Sequence, residues 1–150
     1  VLKKQKNSFF DYFGRGKRKS AFMATQTTHG IKISIFPKYE KDYSDKAKEQ
    51  SIFSYRVVIE NNSTMTVQLL RRTWNIFDSY NEKRTVEGEG VIGEQPILQP
   101  GQIYEYASWC PLMSDLGSMT GSYLMMELES GKQFIVDIPE FQLMADFRQN

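Results

Sequence analysis

Gly88, Gly90 and Gly93, in the run "GEGVIGEQPIL", have the G-x-G-x-x-G spacing that lets a backbone wrap a pyrophosphate. That chemistry needs a strand before the glycines and a helix after them, because the N–H groups at a helix start attract the anion. Pro96 and Pro100 exclude a regular helix here, and no strand–helix–strand unit surrounds the motif. Three readings remain. The glycines can bend into a nest of N–H groups that binds an anion without a helix. Glu87, Glu89 and Glu94 would repel a phosphate but can offer oxygens to a hard cation such as Mg²⁺. The glycines can also serve a crossing between strands that demands positive φ or close backbone packing. The last needs no ligand and is preferred.

Other catalytic chemistry finds little support. His29 and Cys110 are the only histidine and cysteine, too few for a zinc site and too few for an internal disulfide. No G-x-S-x-G elbow exists, since "GSMTGS" does not match it, and His29 reads as a solvated residue. Cys110 has no evident cation beside it to lower its pKa, so it reads as a half-buried structural thiol. With no nameable base or nucleophile, the expectation is a protein that is not an enzyme and needs no cofactor.

The elements that position these residues read as strands. Ile31, Ile33 and Ile35 alternate with Lys32 and Ser34, and Phe53, Tyr55, Val57 and Ile59 alternate in "IFSYRVVIE". In "TVQLLRRTWNIF", Leu70, Trp74 and Ile76 share a face that Arg72 interrupts. "QIYEYASW", "GSYLMMELE" and "KQFIVDI" continue the pattern, and their β-branched and aromatic residues suit a pleated, half-buried surface. Asn, Asp, Pro and Gly punctuate the runs, and "QPGQ" places Pro100 and Gly101 at the central positions of a type II turn. Only "YSDKAKEQ" has a helical composition, for about two turns. Such a chain is all-β, an antiparallel sandwich or barrel.

Charge divides the chain. Residues 1–22 carry +6 and the remaining 128 residues carry −5. The basic segment "VLKKQKNSFFDYFGRGKRKSAF" reads as a solvated extension ahead of a domain over 23–150, giving salt-sensitive attraction but no sequence-specific nucleic-acid readout. No apolar stretch is long enough to span a bilayer and no signal-peptide run is visible, so a cytoplasmic protein is expected.

Between residues 55 and 143, "YRVVIENNSTMTVQLLRRTWNIFDS", "VEGEGVIGEQPILQPGQIYEYAS", "GSMTGSYLMM" and "FIVDIPEFQL" follow one another in an order and spacing that resemble the ApaG domain family. The resemblance implies an immunoglobulin-like or fibronectin type III-like antiparallel β-sandwich of about seven strands. It also implies an association of bacterial members with cobalt and magnesium homeostasis, and a protein-interaction role for the domain in eukaryotic relatives. The family's glycine motif, proposed to bind pyrophosphate, maps onto Gly88, Gly90 and Gly93. The chain departs from the family at "MSDLGSM", where Ser114 and Asp115 stand in place of a Thr-Pro pair, and in the lengthening "KDYSDKAKEQ". The expectation is a non-catalytic module that binds a protein partner through strand edges and end loops, surfaces that would equally serve a homodimer. The alternative is a small-ligand protein holding pyrophosphate, a nucleotide or a divalent cation at the glycine loop.

Overall fold

The computed structural model describes residues 23–80 and 82–148, so the basic segment 1–22 lies outside the described residues. The alternating runs fold as strands because alternation gives each one an apolar face to bury: Ile31, Ile33, Ile35, Phe53, Val57 and Ile59 are all buried. In chain order the strands are β1 (Ala24–Thr28), β2 (Ile31–Tyr39), β3 (Ser51–Asn61), β4 (Val67–Asp78), β5 (Glu82–Glu89), β6 (Ile97–Leu98), β7 (Ile103–Leu112), β8 (Leu116–Glu127) and β9 (Gln133–Met144).

One sheet runs β1-β2-β3-β7 and the other β5-β4-β8-β9, with β6 beside β4. Every pairing is antiparallel. Side chains from both sheets form one core, with Tyr55 and Ile59 from the first meeting Trp74, Tyr123 and Phe141 from the second. This is an antiparallel β-sandwich, with nine strands among the described residues against the about seven expected. The extra ones include β1 and β5, which lie at sheet ends, and the two-residue β6.

Two sequence expectations need correction. In β4 the buried residue is Leu69, not Leu70. The register against β8 shifts between Leu69 and Arg71, so Leu70 forms a bulge that reverses the alternation. Val67 and Leu69 before it, and Trp74, Ile76 and Asp78 after it, are therefore all buried. Arg72 continues that inward row and does not interrupt it. The stretch with helical composition makes no α-helix: one 3₁₀ turn, Lys41–Tyr43, leads into it and a second, Lys46–Lys48, lies within it. Asp45 caps the second, and Glu49 in the left-handed region stops it from extending.

"QPGQ" forms the turn read from it. The Gln102 N–H donates to the Gln99 carbonyl at 3.0 Å, and Gly101 has φ +83°. Asn61 then faces a bulge of two residues: it accepts from the Gly101 N–H and donates its own N–H to the Gln102 carbonyl at 3.0 Å. This fixes which way the groups of β7 point. Gln102 faces β3, so Tyr104, Tyr106, Ser108 and Cys110 do also, while Ile103, Glu105, Ala107 and Trp109 direct their N–H and C=O groups away from the sheet.

Candidate functional site

The glycine motif forms a tight reversal after β5. Val91 and Glu94 exchange hydrogen bonds at 2.8 and 3.0 Å, with Gly93 at φ +76° between them. The Gly90 N–H donates to the Leu70 carbonyl at 2.8 Å, and the Gln95 side-chain amide donates to the same oxygen at 3.0 Å. The β4 bulge is thus what anchors the turn. Gly90 has φ +60°, and a Cβ there would sit 2.1 Å from the Glu94 carbonyl oxygen. A side chain on Gly88 would meet the Arg72 guanidinium, with Nη1 only 2.8 Å from its Cβ. Arg72 Nη1 in turn donates to the Glu89 and Gly90 carbonyls at 3.1 and 2.9 Å. Gly88 and Gly90 therefore have packing reasons to be glycine, and the N–H of Gly90 already has a partner inside the fold.

Inside the sandwich, burial raises the Tyr106 and Tyr123 hydroxyls well above the usual tyrosine range, so both stay protonated and hydrogen-bond each other. Tyr55 and Trp74 pack edge to face beside them, with ring centres 5.2 Å apart. These groups fasten the two sheets together.

Strand β7 is tied down at its ends. The Tyr104 hydroxyl donates to Glu94 at 3.0 Å, and burial, then Glu94, pushes Tyr104 up to about 12. At the other end Arg84 donates to the Pro111 carbonyl at 2.5 Å and lies 3.6 Å from the Cys110 sulfur. A cation does stand beside Cys110, contrary to the sequence expectation. Burial outweighs it and pushes the thiol up to about 11, which keeps the sulfur protonated near neutral pH. Beyond β7, the Asp78 carboxylate accepts from the Met113 N–H at 2.6 Å, from the Ser114 N–H at 3.2 Å and from the Ser114 hydroxyl. Burial alone would raise Asp78, yet hydrogen bonds from Ser114, Met113 and Tyr80 hold it below the usual carboxylate range. Asp115, next in the chain, pairs with Arg148 at 2.6 Å. Asp78 was missed from sequence because an aspartate ending a strand looks like ordinary turn chemistry.

The four sheet ends differ. β1 and β9 lie against each other, the Asp137 N–H donating to the Thr28 hydroxyl at 3.3 Å, and β9 carries Pro139 with a register shift against β8. His29 is exposed at the β1–β2 turn, with its ring edge-on to Phe134. β5 holds Glu82, Lys83, Arg84, Glu87 and Glu89 in eight residues, which discourages strand pairing. β7 pairs with β3 without a break from Ser51–Leu112 to Glu60–Ile103. Its open side shows Ile103, Glu105, Ala107 and Trp109, all exposed, with one charge among them. The Trp109 indole is steadied by the edge of Tyr43, 5.2 Å between centres.

Among the described residues no group of three or more His, Cys, Asp or Glu is placed to hold a metal ion, and no helix is long and apolar enough to cross a membrane. The ApaG domain matches residues 41–127. The chain is 43% identical over 121 residues to Protein ApaG of Brucella canis, covering 81% of this chain and 92% of that one. It is 45% identical over 116 residues to Protein ApaG of Rhizobium leguminosarum bv. trifolii, covering 77% and 88%. The crystal structure of an ApaA protein from Bordetella pertussis superimposes with a TM-score of 0.75 at 38% identity, over 77% of this chain and 94% of that one. By domain, sequence and fold together, this chain belongs to the ApaG family.

Proposed function

We propose that the protein is a non-catalytic interaction module whose partner adds a strand to β7. The observation that supports this is the bare middle of that edge. From Ile103 to Trp109 it offers a regular row of outward N–H and C=O groups, flanked by exposed apolar side chains and fixed at both ends. Main-chain pairing would supply affinity and the alternate side chains specificity. A part in cobalt or magnesium homeostasis, which the family resemblance implies, would then run through such a partner.

The test is a displayed library of peptides selected on the whole chain, with hydrogen exchange used to locate the selected ligands. They should slow exchange at the amides of Ile103, Glu105, Ala107 and Trp109. Ligands that protect none of these amides would sink the proposal. Calorimetry with pyrophosphate, ATP and Mg²⁺ addresses the small-ligand alternative, for which heat abolished by Gly93→Ala is the supporting result.

A further inference from the structure

We infer that the β7 edge pairs, antiparallel, with the β7 edge of a second copy of this chain, about a two-fold axis at Tyr106. The inference rests on the interaction reading above and names its partner. Antiparallel strands exchange hydrogen bonds between residues whose groups point at one another, so Ile103, Glu105, Ala107 and Trp109 of one copy must meet the same set in the other. Pro111 has no N–H, and its carbonyl already accepts from Arg84, so the open stretch ends at Trp109.

Centring on Tyr106 sets Ile103 against the second copy's Trp109 and Glu105 against its Ala107, each pair occurring twice. Ile103 is 57% and Trp109 52% exposed, so each covers the other as a β-branched and aromatic pair. The single charge of the edge meets a methyl group. Arg56 lies directly beside Ala107 in the β3–β7 register, and the next position across that row would be the second copy's Glu105. Arg56 already offsets the charge of its own chain's Glu105, its diagonal neighbour across β7. Neighbouring registers are worse. Centring on Glu105 opposes the two carboxylates, and centring on Ala107 sets Ile103 against Pro111, which cannot donate. The protected states of β1, β9 and β5 stop growth at the dimer.

Sedimentation velocity on the full chain over a concentration series tests the inference, with circular dichroism confirming that each variant is folded. The wild type should form a concentration-dependent dimer. Ala107→Glu places a carboxylate opposite Glu105 at two positions and should weaken the dimer about ten-fold. Ala107→Lys places opposite charges there and should hold or tighten it. A wild type that stays monomeric at every concentration overturns the dimer. If selected peptides still protect the four β7 amides in that case, the interaction reading survives without it. Equal weakening by both Ala107 substitutions overturns the Tyr106 register.

Discussion

The glycine turn and the β7 edge are joined by the Tyr104–Glu94 hydrogen bond, yet they dispose of their backbone groups in opposite ways. In the turn, the N–H groups of Gly90, Val91 and Glu94 all find carbonyls within the chain, and Arg72 takes the carbonyls of Glu89 and Gly90. Along β7, every second residue directs both groups outward. Gly90, Val91 and Glu94 are turned inward, Gly93 faces open space, and the unremarkable strand is turned outward. A run of glycines reports a local geometric demand, whether or not a ligand is involved. The availability of an edge depends on which strand lies next to it, which no local stretch of sequence contains.

The largest expected effect breaks or confirms the inward nature of the turn. Gly90→Ala forces a side chain into the left-handed region and against the Glu94 carbonyl, and should cost about 4 kcal/mol in urea unfolding. Gly93→Ala meets open space at φ +76° and should cost only about 1 kcal/mol. Similar small costs at the two positions would show that Gly90 is not held by packing, and the contrast with β7 would fail.

Next in size is the anchor beyond the C-terminal end of β7. Asp78→Asn removes a charged acceptor from the Met113 and Ser114 N–H groups and should cost about 3 kcal/mol near neutral pH. Because the folded pKa lies below the unfolded one, the carboxylate's contribution is complete above the ordinary value of about 4 and fades as pH falls toward the folded value. The gap between wild type and variant should therefore shrink on acidification. Urea midpoints compared near neutrality and near pH ~3 measure it, and a gap unchanged across that range would show that Asp78 does not act through its charge.

Much of the fold is legible in the sequence because a half-buried strand must alternate. The runs around Ile33, Val57 and Val136 could hardly read otherwise, and Pro100–Gly101 names its own turn. β5 escapes notice because both its faces are exposed almost throughout, leaving no alternation to detect. The bulge at Leu70 is a backbone event without a side-chain signature, and missing it misplaced Leu70 and Arg72 together. Of the candidate site, the glycines are visible in the sequence, and so is the absence of a helix after them, which Pro96 and Pro100 announce. Arg72, which gives Gly88 its reason, could be seen only once β4 and β5 were paired.

The smallest expected effect on intrinsic stability separates the two regions most sharply. Ala107 is exposed on β7, so Ala107→Glu should change the unfolding free energy of dilute, dissociated protein by no more than about 0.5 kcal/mol. Association adds to stability by mass action, so the wild-type melting temperature should climb with protein concentration. The Ala107→Glu melt should stay nearly flat over the same range. A Gly90 substitution, by contrast, lowers stability at every concentration, because what it disturbs lies within one chain. If the Ala107→Glu deficit were as large in dilute solution as in concentrated solution, β7 would be a structural strand like the turn beside it, and the edge would lose its claim to be the working surface.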